Sequence, residues 1–173
     1  MVPATLSRRG GGYARGVRVL VTGATGYVGG RLVPRLLERG HQVRVLVRDE
    51  TRLAGRPWAG RVEVVRGSLE DEGALRRALE GAEAAYYLFP ALLSGKAFQE
   101  AERRQAEAFA RVGREAGLGH VVYLGGLLPK EGKPSPHLRS RAQVGEILRA
   151  NLPATEFRAG PVIGSGSASF EMV

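Results

Sequence analysis

Val17-Arg-Val-Leu-Val21 runs without a break into Thr22-Gly23-Ala24-Thr25-Gly26-Tyr27-Val28-Gly29, so three glycines fall where a β-rich run gives way to a helical one. Leu32, Val33, Leu36 and Leu37 follow at helical spacing, Gly40 closes that segment, and a second β-rich run, Val43-Arg-Val-Leu-Val47, comes next. The pattern is a complete βαβ unit. In such a unit Gly23 and Gly26 permit a tight turn and the close approach of a pyrophosphate, while Gly29 lets the helix lie near the sheet. The helix N-terminus then offers unpaired N–H groups and a partial positive charge. The stretch therefore reads as a dinucleotide site, with Gly23, Thr25, Gly26, Tyr27, Val28 and Gly29 along the ligand. A chain with 25 glycines in 173 residues also yields such spacings by chance, and a ligand-free βα turn is the alternative; the flanking strand and helix favour the site. Pro34 is out of place in the helix, because it lacks an N–H and its ring crowds the carbonyl of Gly30.

Working outward, the chain alternates. Strands are expected near 17–22, 43–47, 62–66, 84–89, 120–124 and 154–158, and helices near 27–39, 71–80, 97–116 and 137–151. The longest helix places Phe98, Ala101, Gln105, Phe109, Val112 and Ala116 on one face, the stripe of a helix that covers a sheet. This alternation predicts an α/β fold with a doubly wound parallel sheet, a three-layer αβα Rossmann arrangement over residues 17–173. Residues 1–16 lack periodicity and read as a flexible N-terminal extension.

Composition narrows the classes. The length suits one domain. No apolar stretch approaches the roughly 20 residues of a membrane span, and no secretory h-region precedes Gly16, so no membrane partner and a cytoplasmic location are expected. The absence of cysteine removes disulfides, thiolate metal sites and cysteine nucleophiles. His41, His120 and His137 are too scattered for a metal cluster. The net charge of +9 raises the question of nucleic acid, but the arginines are interspersed with acidic residues rather than gathered in a stripe, which describes a solvated surface. A homo-oligomer stays open.

The nucleotide is read at the end of the second strand, where a carboxylate would bind the ribose 2′-OH of NAD and an arginine the 2′-phosphate of NADP. The chain has Val47-Arg48-Asp49-Glu50 there. Arg48, first past the strand, matches a phosphate with paired donors; Asp49 keeps NAD possible. NADP is the expected cofactor.

Together, Thr22–Gly29, Val43-Arg-Val-Leu-Val-Arg48, Gly67-Ser-Leu-Glu-Asp71, Tyr86-Tyr-Leu-Phe89, Val121-Val-Tyr-Leu-Gly-Gly126 and Arg158-Ala-Gly-Pro-Val-Ile-Gly164 resemble the short-chain dehydrogenase/reductase superfamily, and most closely its atypical, NmrA-like branch. The resemblance implies that Ser68 and Leu69 lie beside the adenine, Leu88, Phe89 and Pro90 beside its ribose, and Pro161, Val162 and Ile163 near the nicotinamide. Active members of the superfamily use Tyr-x-x-x-Lys on the helix after the fifth strand and a serine at that strand's end. This chain has Gly125 or Gly126 in place of the serine, and its nearest pair with the right spacing is His137-Leu-Arg-Ser-Arg141. His137 as proton donor and Arg141 as the cation on the nicotinamide ribose meet the chemical requirement. Against this, Ser135-Pro136 looks like an N-cap and first-turn proline, which gives His137 an ordinary place in a first turn. Tyr123 reads as packing.

The chain ends at Ser169-Phe-Glu-Met-Val173, where relatives by resemblance continue into a substrate-binding segment, so a missing C-terminal part is expected. Two functions follow from the resemblance: hydride transfer from NADPH to an unidentified small substrate, or a non-catalytic module that senses NADP(H) or supports a partner.

Overall fold

The computed structural model describes residues 16–88, 96–129, 131–162 and 164. Six strands form one sheet: β1 (Arg18–Thr22), β2 (Gln42–Val47), β3 (Glu63–Arg66), β4 (Ala84–Tyr87), β5 (His120–Gly126) and β6 (Ala154–Ala159). Their order is β3-β2-β1-β4-β5-β6, and every neighbouring pair is parallel. The helices are α1 (Tyr27–Glu38), α2 (Glu72–Leu79), α3 (Lys96–Glu115) and α4 (Pro136–Asn151). This is the doubly wound Rossmann topology that the alternation predicts. Strand order reverses between β1 and β4, which opens a crevice at their carboxyl ends.

The period of two in the strands divides the core. Val19, Val21, Val43, Val45 and Val47 face α1, where they pack with Val33, Leu36, Leu53 and Trp58. Leu20, Leu46, Ala85 and Val121 face the other way, toward Leu75 and Leu79 of α2, Phe109 and Val112 of α3, and Val144 and Leu148 of α4. Central strands buried on both faces explain the near-continuous apolar runs at 17–21 and 43–47. Arg44 is the exception within β2. Its guanidinium donates to the carbonyls of Arg77, Ala78 and Glu80 at 2.9, 2.9 and 2.7 Å, satisfying the free acceptors at the end of α2.

One expectation needs correction. The inward stripe of α3 includes Glu102, which is buried, whereas Ala116 is exposed. The helix packs against α4 as well as the sheet, and the Ser140 hydroxyl donates to the Glu102 carboxylate across that contact. Phe89 of the expected fourth strand lies outside the described residues, and β4 ends at Tyr87.

Candidate functional site

The crevice is framed by the end of β1. The Thr22 hydroxyl donates to the Tyr86 carbonyl at 3.2 Å and accepts from the Leu88 N–H at 3.1 Å, pinning β1 to the chain leaving β4. Gly23 then turns at φ +72°, and a Cβ there would collide with the Leu88 carbonyl oxygen. The turn closes with the Gly26 N–H donating to the Gly23 carbonyl at 3.0 Å. Gly29 sits on that same carbonyl, where a side chain would also collide. Gly26 is different. As the N-cap of α1 it has φ −79° and ψ 177°, an extended conformation open to any residue, and among the described residues a Cβ there would meet the Gly23 oxygen, at a close 3.3 Å. The fold thus requires Gly23 and Gly29, whereas at Gly26 a side chain would meet a tight contact rather than a collision.

Among the described residues no side chain caps α1, and no acidic residue stands in its first turn. Its first N–H groups therefore point outward without helical acceptors, the arrangement that binds phosphate. Tyr27 carries the Arg31 guanidinium 3.7 Å above its ring. The segment after β6 reaches the same place, because a Cβ on Gly164 would collide with the Tyr27 hydroxyl. Pro161 and Val162 of that segment are exposed; Ile163 lies outside the described residues, as do Phe89 and Pro90. Leu88 is half-buried beside Gly23.

At the other end of the crevice, Arg48, Arg66, Gly67, Ser68 and Asp71 line an open concavity of about 480 Å³. Arg48 is exposed at the end of β2. Asp49 caps the following 3₁₀ turn, accepting from the Thr51 N–H at 2.9 Å and its hydroxyl at 2.7 Å, and these bonds lower its pKa. Ser68, which lines the concavity, accepts from the Glu70 N–H at 3.2 Å with its Oγ. Leu69 is buried in the core and is not among the residues that line the concavity. Arg66 is a lining residue that the sequence reading missed; the parallel register of Val47 with Arg66 brings it beside Arg48.

Around β5 and α4, Gly126 faces Leu138 and the stem of Arg141, at 2.8 Å and 3.9 Å from an added Cβ. His137 and Arg141 are half-buried on one side of α4, while Ser140, Val144 and Leu148 form its buried face. Ser135 caps the helix, its hydroxyl accepting from the Leu138 N–H at 3.3 Å. Tyr123 is a packing residue, as expected: it is buried, lies 5.9 Å from the Tyr87 ring, and donates its hydroxyl to the Arg141 carbonyl at 3.0 Å. Burial pushes its pKa up to about 12. Among the described residues, no group of His, Asp and Glu is placed to hold a metal, and no helix is long and apolar enough to cross a membrane.

A glycine turn at the switch point of a parallel 3-2-1-4-5-6 sheet defines the Rossmann class. Within it, the chain belongs to the NmrA-like family, whose sequence profile matches residues 16–162. Two curated relatives are the (4-alkanoyl-5-oxo-2,5-dihydrofuran-3-yl)methyl phosphate reductase of Streptomyces griseus, 35% identical over 142 residues, and the ceramide reductase of Caulobacter vibrioides, 33% identical over 153. The alignments cover 81% and 87% of this chain, but only 46% and 47% of those proteins, so the chain spans under half of their length. Among solved structures, the triphenylmethane reductase of Citrobacter sp. superposes with a TM-score of 0.68 at 25% identity, over 82% of this chain and 48% of that one.

Proposed function

We propose that the crevice binds NADP(H), and that the chain forms the dinucleotide-binding half of a reductase acting on a small substrate. The observation that carries the reading is Gly26: its backbone is extended and needs no glycine, and the tightest contact of a Cβ there is 3.3 Å from the Gly23 oxygen, against 1.9 Å at Gly23 and 2.3 Å at Gly29, so the fold demands a glycine far less there than at its neighbours. The first-turn N–H groups of Tyr27, Val28 and Gly29 would hold the pyrophosphate. Ser68 and the Leu69 backbone would lie beside the adenine, Leu88 to Pro90 beside its ribose, and Pro161 to Ile163 near the nicotinamide. Arg48 would hold the 2′-phosphate with its paired donors, while Asp49, whose Oδ1 accepts both bonds from Thr51, keeps Oδ2 for a ribose hydroxyl of NAD.

The bound nicotinamide would supply hydride. Arg141 would hold its ribose and His137 would protonate the substrate. The reductase relatives, aligned over more than four fifths of this chain, support this reading, and a cytoplasmic setting belongs to it. A second reading, a non-catalytic NADP(H)-sensing or partner-supporting module, is favoured by one feature: glycine stands where the superfamily's serine would be, at Gly125 or Gly126, and the hydroxyl of Tyr123 on the same strand is tied to the Arg141 carbonyl. Titrating NADP⁺, NADPH, NAD⁺ and NADH into the purified chain, then following NADPH oxidation against a carbonyl panel, tests both. Binding with a preference for NADP(H) is expected. No binding of any dinucleotide refutes the proposal, and binding without turnover selects the second reading.

A further inference from the structure

Arg56 lies in the connection from β2 to β3 and reaches back to the glycine loop. Its Nη2 donates to the Thr25 carbonyl at 3.0 Å, across 31 residues of sequence. Its Nη1 fills the space that a Cβ on Gly30 would take, so the glycine following Gly29 is where the guanidinium enters. Trp58, two residues on, fastens the same connection to the Gly30 carbonyl. Thr25 precedes the N-cap, so the helix supplies no donor to its carbonyl.

This placement has an electrostatic cost. A half-buried cation beside a helix N-terminus is repelled by the macrodipole. The first turn of α1 holds no acidic residue to offset it, and among the described residues Arg56 has no ion pair. An anion at the helix end would turn the repulsion into attraction.

Given the dinucleotide reading above, we propose that Arg56 is a positioning residue for the pyrophosphate: it fixes the Thr25 peptide, and with it the turn that leads into the first-turn N–H groups, and adds a positive charge behind them. The same connection begins with Arg48, so one segment serves both the 2′-phosphate and the pyrophosphate.

The test compares the wild-type chain, Arg56→Ala and Arg56→Lys for binding of NADPH and of 2′-AMP, which keeps the 2′-phosphate but has no pyrophosphate. In Arg56→Ala, NADPH binding should weaken about tenfold to a hundredfold, the scale of a lost bond from a charged donor, while 2′-AMP changes less than about twofold. Arg56→Lys, which keeps the charge and one donor, should weaken NADPH less than alanine does while sparing 2′-AMP; it also serves if the alanine variant fails to fold. Unchanged NADPH affinity, or equal weakening of both ligands, overturns the proposal. Failure of the wild type to bind NADPH would instead refute the dinucleotide reading itself.

Discussion

The indole Nε1 of Trp58 donates to the carbonyl of Gly30 at 3.2 Å, and this is the acceptor that Pro34, having no N–H, leaves vacant inside α1. A proline that breaks the helical ladder is thus repaired from another segment. Trp58→Phe should destabilise the fold by about 1–3 kcal/mol, the cost of a buried acceptor left unpaired. In a Pro34→Ala background the helix supplies its own donor, so the same substitution should cost less. A double-mutant cycle by urea denaturation measures the coupling; equal costs in both backgrounds would show that the indole bond does not replace the missing one.

Arg48 sets cofactor choice in this account. Arg48→Ala should weaken NADP(H) by about 1.5–3 kcal/mol and leave NAD(H) nearly unchanged, erasing the preference. Calorimetry with both dinucleotides checks this. A preference that survives the substitution would move the 2′-phosphate elsewhere, with Arg66 the next residue to test.

Acid should loosen the α2–α3 contact. Glu72 accepts from Arg111 at 2.7 Å and Arg76 at 2.8 Å, and these guanidiniums, Arg111 foremost, bring its pKa from 4.5 down to about 2. The folded form takes up this proton less readily than the unfolded chain. The pair therefore stabilises the fold above about pH 4.5, and that contribution is lost as the pH falls toward 2. The Tm difference between wild type and Glu72→Gln should be greatest near neutrality, shrink through this window, and narrow in high salt. A difference independent of pH would contradict the assignment.

If the chain oxidises NADPH, turnover should depend on His137 and Arg141. His137→Ala should lose about 10²-fold or more, the scale of a missing proton donor, and Arg141→Ala should weaken dinucleotide binding as well as lower turnover. Single-turnover kinetics on a carbonyl panel provides the check, and robust turnover in both variants would place the chemistry elsewhere.

The βαβ unit was legible because its determinants are local: the apolar runs 17–21 and 43–47, the glycines between them, and Arg48 one residue past a strand. Ser135 and Pro136 likewise announced the start of α4. What stayed hidden depends on contacts distant in sequence. Nothing near Arg56 or Trp58 shows that they bond Thr25 and Gly30. Arg66 joins Arg48 only through strand register. The burial of Glu102 follows from α4 supplying Ser140, which an apolar stripe on α3 does not reveal.

The central claim is that the side chain missing at Gly26 makes way for a dinucleotide. Gly26→Val fits the extended backbone at that position but replaces an N-cap glycine and crowds the Gly23 oxygen, so it should fold with a smaller loss of stability than Gly23→Val, which at φ +72° and facing the Leu88 carbonyl should be destabilised by at least ~1–2 kcal/mol. Calorimetric titration of NADPH into wild type and folded Gly26→Val is the decisive measurement. The account predicts binding to the wild type and none to the variant; equal affinity in the two would contradict it.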